Sequence, residues 1–133
     1  MAEKVKTVVE FKPKTILVVD DKKETRNLIR LALERGNYRI IEAENGELAK
    51  KMLLKDVPDL VILDIIMPGG DGYTLVEDLS IREKTKKVPI IIASGKAKLR
   101  EFFPSGKDSQ IKGFLEKPFS IDDLMNMVRE IIG

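Results

Sequence analysis

Five polar residues of this sequence stand where apolar runs end, and their side chains could do phosphoryl chemistry. The neighbouring acids Asp20 and Asp21 follow ILVV, and Asp64 closes LVILD. Ser94 follows PIIIA, and Lys117 follows FLE. If these runs are parallel strands, their carboxyl ends meet at one edge of a sheet, which is where open α/β folds bind ligands. The sequence therefore predicts three carboxylates, a hydroxyl and an ammonium group gathered at that edge.

This set of side chains indicates a hard metal ion and a phosphoryl acceptor. Carboxylates a few ångströms apart repel each other, so such a cluster needs a cation. The chain has no histidine and no cysteine, and oxygen ligands alone suit Mg²⁺ better than zinc. A carboxylate beside Mg²⁺ can attack phosphorus while a lysine and a hydroxyl stabilise the equatorial oxygens. Asp64 is the candidate nucleophile because its strand is expected between those that carry the other groups.

Each of these residues also has an ordinary structural interpretation when it is taken alone. Asp20 and Asp21 could form a solvated turn or cap a helix, and Asp64 could be a loop acid. Ser94 precedes a glycine, as turn residues often do, and Lys117 could be a surface lysine. Their combination at the ends of the expected strands favours the chemical interpretation.

Composition argues against several classes of protein. The 133 residues suit one domain, and the absence of histidine and cysteine excludes imidazole bases, thiolate metal sites and disulfides. The net charge is only +2, and no basic stripe is interleaved with aromatic residues, so we expect no direct nucleic-acid binding. No apolar run approaches the ~20 residues that span a bilayer, and the start lacks a signal peptide. We therefore expect a cytoplasmic protein with no membrane partner.

Strands and helices are expected to alternate from residue 15 onward. Apolar runs and turn residues predict strands at residues 15–20, 39–43, 60–64, 88–93 and 113–116. Helices are predicted at 23–35, after an Asn45 cap, at 73–84, and after Ser120 with Asp123 as its capping-box partner. We divide the chain into an N-terminal extension, 1–13, and one domain, 14–133.

This alternation predicts a three-layer α/β fold with a five-stranded parallel sheet between helices. Strands 1, 3 and 4 are continuous apolar runs, which indicates burial on both faces. Strand 2 includes Arg39 and Glu42, and strand 5 is short, so these two are expected at the edges. Right-handed crossovers then favour the spatial order 2-1-3-4-5.

Apolar spacing also predicts which helix faces point inward. The stripe of the first helix is Leu28, Leu31 and Ala32, with Gly36 as the C-terminal stop. The residues expected to face inward on the second and the last helix are Leu48, Met52 and Leu53, and Leu124, Met127, Val128 and Ile131.

The sequence resembles the receiver domains of bacterial response regulators, such as single-domain chemotaxis regulators. The matching pieces are ILVVDDKKETRNLI, LVILDIIMPGGDG, PIIIAS and FLEKPF, within residues 15–132. The resemblance implies a flavodoxin-like receiver fold and a phosphoprotein of two-component signal transduction, not an enzyme with a substrate of its own. It implies a sensor histidine kinase or phosphotransfer protein as donor and a downstream protein as target.

The resemblance also implies roles for the residues that handle the phosphoryl group. Asp64 would receive it, Lys117 would pair with it, and Ser94 would shift to hydrogen-bond it. Phosphorylation would then switch protein–protein interactions at the face formed by an expected fourth helix within residues 96–103, strand 5, and the helix after Ser120, which is the fifth. The Lys117–Pro118 bond is expected to be cis, a form that is ordinary only before proline.

For the metal, the resemblance implies Mg²⁺ held by Asp21, Asp64 and the backbone carbonyl of Ile66, and by Asp20 through water. It also places Phe114 at the family's switch-aromatic position, where the ring tends to rotate inward when the hydroxyl moves. A core aromatic on a short strand is the other interpretation of Phe114.

Three features depart from the family pattern. Ile66 is apolar and Lys96 is basic where relatives often carry a polar group that orients the hydrolytic water, so we expect slow autodephosphorylation. Only residues 96–103 could be helical before Pro104, so the fourth helix is expected to be short or irregular. No DNA-binding or enzymatic domain follows the last helix, so a stand-alone receiver and a fragment of a longer protein both stay open.

Two other functions are compatible with the same residues. One is a non-phosphorylated interaction domain that has kept the fold, but the complete acidic set argues against it. The other is a Mg²⁺-dependent phosphatase that forms an aspartyl-phosphate. Such enzymes usually use a second acid two residues after the nucleophile, where this chain has Ile66.

Overall fold

The computed structural model describes residues 12–96, 100–101, 103 and 109–133. These residues contain five strands, namely β1 (Thr15–Val19), β2 (Arg39–Ala43), β3 (Leu60–Asp64), β4 (Ile90–Ser94) and β5 (Ile111–Glu116). They also contain a short 3₁₀ helix (Pro68–Gly70) and the helices α1 (Lys23–Glu34), α2 (Gly46–Lys55), α3 (Asp71–Ile81) and α4 (Ile121–Ile132). Among these described residues, no helix has both the length and the apolar character needed to cross a membrane.

The strands form one parallel sheet in the order β2-β1-β3-β4-β5. The predicted strand order and the parallel α/β class are therefore confirmed. Every residue of β3 and β4 is buried, whereas the edge strands β2 and β5 include exposed residues. The continuous apolar runs thus belong to strands that are covered on both faces, as expected for the centre of a parallel sheet.

The central strands contribute side chains to two separate cores. Leu17 and Val19 pack in one cluster with residues of α2 and α3, whereas Ile16 and Val18 pack in a second cluster with residues of α1 and α4. Because neighbouring side chains on a strand point to opposite faces, one apolar run serves both cores. The result is the predicted arrangement of three layers, in which the sheet lies between two pairs of the helices that the structure describes.

Two helices begin at capping side chains that the sequence predicts. The Asn45 side chain accepts a hydrogen bond from the Leu48 N–H at 2.8 Å. Ser120 Oγ accepts one from the Asp123 N–H at 3.0 Å. Such bonds satisfy N–H groups that the first turn of a helix leaves without partners. The two caps therefore fix the points at which α2 and α4 begin.

The predicted inward face of α1 is wrong for Leu28 and Leu31 and correct for Ala32. Leu28 and Leu31 are 46% and 65% exposed, and the buried residues of α1 are Ile29, Ala32 and Leu33. The two sets have similar helical spacing and are offset by about 100° around the helix axis. Packing of α1 against the sheet selects the second set, a choice that spacing along the sequence leaves undecided.

α2 and α4 show smaller differences of the same kind. Leu48, which was expected to face inward, is 37% exposed, and Ala49 is buried instead. The predictions for Leu53, which is buried, and Met52, which is half-buried, fit the structure. In α4, full burial is found at Leu124, Met125 and Val128, and partial burial at Met127 and Ile131.

Several element boundaries also differ from the predicted ones. β5 begins at Ile111, two residues before its predicted start at Gly113. A Cβ atom at Gly113 would lie 2.6 Å from Met127 Sδ, so this glycine permits close packing of α4 and does not mark the start of a strand. β4 and α3 are each shifted by about two residues from the predicted ranges, to Ile90–Ser94 and Asp71–Ile81.

The residue at which α1 stops also differs from the prediction, which gave Gly36. The helix ends at Glu34, and the left-handed backbone, with φ of 65°, lies at Asn37 and not at Gly36. Asparagine visits this conformation more readily than most residues because its short polar side chain can hydrogen-bond locally. Gly36 has a packing reason instead, since a Cβ atom there would lie 2.8 Å from Met125 Cε.

A further helix is expected within residues 96–103, between β4 and β5. This segment is separate from α4, and it falls largely outside the described residues. Within 96–103 the structure describes Lys96, Arg100, Glu101 and Phe103. The expectation that this helix is short or irregular therefore stays a prediction. The ring of Phe103 is half-buried and stacks on Tyr73, with ring centroids 5.9 Å apart.

Candidate functional site

Four strands bring the predicted polar residues to one edge of the sheet. Asp20 directly follows β1, Asp64 ends β3, Ser94 ends β4, and Lys117 directly follows β5. The register of the sheet pairs Asp64 with Ala93, the residue before Ser94. The structure therefore places these side chains at the carboxyl edge, where the strand-end pattern located them.

The carboxylates of Asp20, Asp21 and Asp64 form a cluster. Each contributes one oxygen to a group whose members all lie within 4.8 Å of one another. Asp20 and Asp64 are only 2% and 6% exposed, whereas Asp21 is exposed. Repulsion between such close charges is strong where little water screens it, so the cluster needs positive charge nearby.

Lys117 supplies part of that positive charge. Its Nζ lies 2.7 Å from Asp20 Oδ2 and 3.3 Å from Asp64 Oδ2, so the ammonium group bridges the two buried carboxylates. The Lys117–Pro118 peptide bond is cis, as predicted. One ammonium group offsets only one of the three negative charges. The cluster keeps a net negative charge, which favours the binding of a divalent cation.

Backbone N–H groups hold the other oxygens of the buried acids. Asp20 Oδ1 accepts a hydrogen bond from the Lys22 N–H, and Asp64 Oδ1 accepts one from the Ile66 N–H, both at 2.9 Å. In each bond the donor lies two residues after the acceptor, as in the local turns that aspartate forms with its own backbone. Both carboxylates are therefore oriented by contacts within the protein.

Two groups of the site have shifted pKa values. Burial raises the pKa of the Asp64 carboxyl above its ordinary value, against the opposing charge of Lys117 and the hydrogen bond from Ile66. Burial alone would lower the pKa of Lys117, but its hydrogen bond to Asp20 and the charges of Asp20 and Asp64 raise that pKa above its ordinary value. The lysine therefore stays protonated at neutral pH, and a further cation would favour the ionised form of Asp64.

Ser94 is joined to the site through its main chain. Its carbonyl accepts a hydrogen bond from the Lys117 N–H at 2.8 Å, which ties the end of β4 to the residue after β5. Its hydroxyl oxygen accepts a hydrogen bond from the Lys96 N–H at 3.1 Å. Among the described contacts, Ser94 Oγ has no hydrogen bond to Asp64. The hydroxyl would have to change partner to reach a group on Asp64.

An open cavity of about 720 Å³ adjoins these groups, and its lining includes Asp21, Asp64, Ile66, Met67, Lys96 and Lys117. Small-molecule sites commonly have volumes of about 300–1,000 Å³. Ile66 is 43% exposed, and the hydrogen bond from its N–H to Asp64 brings residue 66 beside the acids. The role of its carbonyl as a metal ligand stays a prediction.

Phe114 lies at one end of a row of three aromatic rings, and its ring is tilted by 45° from that of Phe103. Its centroid is 6.1 Å from that of Phe103 and 5.4 Å from the guanidinium carbon of Arg100. Phe103 in turn stacks on Tyr73 at the start of α3. Sequence reasoning singled out Phe114 but missed Tyr73 and Arg100, because their contacts depend on how separate segments pack.

Sequence reasoning also missed Arg26, which contacts the acidic turn. Its Nη1 donates to the carbonyl of Asp20 at 2.7 Å, and its Nε lies 3.1 Å from Glu42 Oε1. The available signal was an arginine in the first turn of the helix that follows the two acids. That Glu42 of β2 points toward this arginine cannot be read from the sequence.

The donor atoms of the cluster fit a hard divalent cation. Three carboxylates lie within 4.8 Å of one another, and the chain contains no imidazole or thiol group. Mg²⁺ is commonly held by one or two carboxylates and keeps several waters. We therefore expect Asp20, Asp21 and Asp64 to be the side chains that hold such an ion.

Comparison with known proteins identifies similar sequences. A family model described as the response regulator receiver domain matches residues 16–129, which include the acidic cluster, Ser94 and Lys117. The transcriptional regulatory protein ResD of Bacillus subtilis is 41% identical over 120 residues, covering 88% of this chain and 47% of that protein. The phosphate regulon transcriptional regulatory protein PhoB of Pseudomonas aeruginosa is 33% identical over 126 residues, covering 90% of this chain and 52% of that protein. The chain thus spans about half the length of these curated relatives.

A solved structure with a similar fold is the response regulator TrrA from Thermotoga maritima, in complex with Mg²⁺ and BeF. The two chains share 34% sequence identity and superpose with a TM-score of 0.75. The similarity covers 89% of this chain and 98% of that chain. It therefore extends over nearly the whole fold and is not confined to the strand ends.

Proposed function

The chain belongs to the response regulator receiver family, and on that premise we propose that it is a phosphoacceptor of two-component signal transduction. In this proposal Asp64 accepts a phosphoryl group in a Mg²⁺-dependent reaction, and phosphorylation switches protein–protein interactions. The observation that carries the proposal is the cluster of Asp20, Asp21 and Asp64, whose two buried members are bridged by Lys117.

Asp64 acts as the nucleophile. One of its carboxylate oxygens forms the bond to phosphorus while the bond between phosphorus and the donor nitrogen breaks, and the donor imidazole takes up a proton from solvent and leaves as the neutral ring. The Ile66 N–H at Oδ1 and the Lys117 ammonium group at Oδ2 hold the carboxylate in one orientation beforehand. Such pre-orientation lowers the entropic cost of reaction. Lys117 then pairs with the phosphoryl oxygens.

Asp20, Asp21 and Asp64, with the backbone carbonyl of Ile66, are the proposed metal-binding groups, Asp20 acting through water. Bound Mg²⁺ would neutralise negative charge on the phosphoryl oxygens. The similar response regulator from Thermotoga maritima was solved in complex with Mg²⁺ and BeF, which supports the same choice of metal here.

Ser94 and Phe114 form the responding part of the site. The Ser94 hydroxyl would release the Lys96 N–H and donate to a phosphoryl oxygen. A movement of the Phe114 ring would then alter its contacts with Phe103 and Arg100. The proposed target-binding face is the one formed by the expected fourth helix, within residues 96–103, together with β5 and α4.

The proposed partners follow from the family. Response regulators interact with histidine kinases, so the donor is a sensor histidine kinase or a phosphotransfer protein, and the downstream target is a protein. Receiver domains belong to a signalling family and are not enzymes in the ordinary sense.

ResD and PhoB are transcriptional regulatory proteins, but the chain matches only about half of each, so the proposal does not extend their transcriptional function to this chain. The extension 1–13, the domain 14–133 and the cytoplasmic location stay predictions.

The proposal is tested by the intact mass of the protein after incubation with Mg²⁺ and acetyl phosphate, beside an Asp64→Asn variant. We expect the wild type alone to gain one phosphoryl group. Equal gain in the variant would contradict the role of Asp64. No gain from acetyl phosphate or from a phosphohistidine donor would favour a non-phosphorylated interaction domain. Turnover of a small phosphomonoester would favour a phosphatase.

A further inference from the structure

Arg26 joins the acidic turn after β1 to the neighbouring strand β2. Its Nη1 donates to the carbonyl of Asp20 at 2.7 Å, and its Nε lies 3.1 Å from Glu42 Oε1. The side chain is only 12% exposed, so water competes little for these contacts. A guanidinium group holds its N–H donors in a rigid, planar fork. The arginine therefore fixes the position of the carbonyl relative to the carboxylate of Glu42.

Glu42 is itself held in place. Its second oxygen, Oε2, lies 2.6 Å from Nη2 of Arg30, one turn further along α1. Its backbone pairs with Val18 in the ladder between β1 and β2. The partner of Arg26 is therefore a carboxylate fixed by the sheet and by a second arginine.

The hydrogen bond from Arg26 holds the carbonyl of the peptide group between Asp20 and Asp21. The N–H of Asp20 donates to the carbonyl of Ala43 at 3.2 Å, and Asp20 Oδ1 accepts from the Lys22 N–H. Arg26 holds the third polar group of this residue, its carbonyl. Because the peptide bond is planar, the direction of this carbonyl sets the direction in which the chain continues to Asp21.

Asp21 depends on its backbone for its position more than the other two acids do. Asp20 and Asp64 are buried, and each is held by Lys117 and by a backbone N–H. Asp21 is exposed, and within the described part of the chain its carboxylate has no hydrogen bond or ion pair. Its place in the cluster is therefore set by the backbone that precedes it.

We propose that Arg26 is a positioning residue for the metal site. Anchored by Glu42, it fixes the peptide between Asp20 and Asp21 and so keeps the Asp21 carboxylate within reach of the other two acids. The inference rests on the proposed function, because it concerns the same Mg²⁺ site. Arg26 itself does not contact the ion or the phosphoryl group.

Electrostatics alone predicts the opposite effect when Arg26 is lost. A positive guanidinium group near a cation site repels the ion, so its removal should strengthen Mg²⁺ binding if charge were its only contribution. Loss of a positioning residue should weaken Mg²⁺ binding instead. The sign of the change in affinity therefore distinguishes the two roles.

The test compares Arg26→Gln with Arg30→Gln in the full chain. Both variants lose one positive charge and one contact with Glu42, but only Arg26 contacts the carbonyl of Asp20. The dissociation constant for Mg²⁺ alone, with no phosphoryl donor, is measured by calorimetry. Loss of an outer-shell partner typically costs tenfold or more in metal affinity. We expect about tenfold weaker binding in Arg26→Gln and a change below about twofold in Arg30→Gln.

A second pair, Arg26→Lys and Arg30→Lys, keeps the charge and protects the test against a variant that fails to fold. An ammonium group is a compact donor that cannot reproduce the planar fork, so Arg26→Lys should also bind Mg²⁺ more weakly than its control. Equal affinities within a folded pair, or tighter binding in Arg26→Gln, would overturn the inference alone. A wild type that bound no Mg²⁺ would overturn the inference together with the proposed function.

Discussion

The site has an acidic half, made of Asp20, Asp21, Asp64 and Lys117, and a responding half, made of Ser94 and Phe114. The side chains of the two halves are held in position by different kinds of contact. In the acidic half, the buried carboxylates of Asp20 and Asp64 each have one oxygen at Lys117 and the other at a backbone N–H. In the responding half, the Ser94 hydroxyl has a local bond to the N–H two residues further on, and Phe114 packs against neighbouring rings.

This difference matches the two tasks of a switch. Groups that take part in the chemistry work best when they need little reorganisation during the reaction. Groups that report the reaction must exchange one set of contacts for another at a small cost in free energy. On this view, substitutions in the acidic half should change phosphorylation and metal binding, and substitutions in the responding half should leave metal binding intact.

The largest effect is expected for Lys117→Gln in the acidic half. It removes the cation that bridges Asp20 and Asp64 and would pair with the phosphoryl oxygens. Loss of one preorganised stabilising group typically lowers a rate about 100-fold or more. Phosphorylation by acetyl phosphate should fall by that order, as measured by intact mass over time. Lys22→Gln, which removes an exposed lysine nearby, is the control, and equal rates in the two variants would contradict the role of Lys117.

A smaller effect is expected at Ile66, which lies beside Asp64 and is 43% exposed. Its apolar side chain cannot orient a water for attack on the phosphoryl group, so the phosphorylated wild type should persist well beyond seconds. Ile66→Asn adds a polar group and should speed the loss of phosphate about tenfold or more. Decay is followed after removal of the donor, with Ile66→Val as control. Decay of the wild type within seconds would refute this prediction.

The buried charge of Asp64 predicts how the stability of the metal-free protein depends on pH. Burial raises its pKa in the folded state above the ordinary value of 3.8, so the folded protein binds this proton more tightly than the unfolded chain does. The resulting stabilisation is complete below 3.8 and is lost as pH rises through the raised pKa. Lys117 does not interfere, because its raised pKa keeps it protonated over this range.

Asp64→Asn lacks this titration, so its stability relative to the wild type should increase as pH rises and then level off once the pH exceeds the raised pKa of Asp64. Urea unfolding in the presence of EDTA, from acid to neutral pH, measures the free energy of unfolding of both proteins. A difference that stayed constant across the range would contradict the raised pKa of Asp64.

The smallest effect is expected for Tyr73→Ala, because Tyr73 contacts Phe103, which in turn contacts Phe114 of the responding half. The variant removes the ring that stacks on Phe103 at 5.9 Å, and aromatic pairs contribute about 1 kcal/mol. Urea unfolding should show a loss of about that size, while Tyr73→Phe should keep most of the stability. The dissociation constant for Mg²⁺ should not change in either variant. A weaker Mg²⁺ affinity in Tyr73→Ala would show that the two halves are not separate.

Much of the fold and the position of the site can be predicted from the sequence because both depend on the strands. The runs around Val18, Ile62 and Ile91 are apolar without interruption, which specifies central strands, and polar residues directly after them must emerge at one edge. The same reasoning located Asp64 and Lys117 before any contact between them was known.

What could not be predicted depends on packing between elements. Leu28 and Ile29 both belong to plausible helix stripes, and only contact with the sheet buries the second. The sequence predicts a strand that starts at Gly113, but in the structure the lack of a side chain at this residue leaves room for Met127. Arg26 gave no sequence signal of its role, because that role depends on Glu42 of the adjacent strand.

The measurement that tests the central claim most directly is the location of the phosphoryl group. The protein is incubated with a phosphoryl donor with and without Mg²⁺, the acyl phosphate is reduced with borohydride, and peptides are mapped by mass spectrometry. We predict the reduced product at Asp64 alone, and only in the presence of Mg²⁺. Product at Asp20 or Asp21, or equal modification without Mg²⁺, would contradict the assignment of Asp64 as the metal-dependent phosphoacceptor.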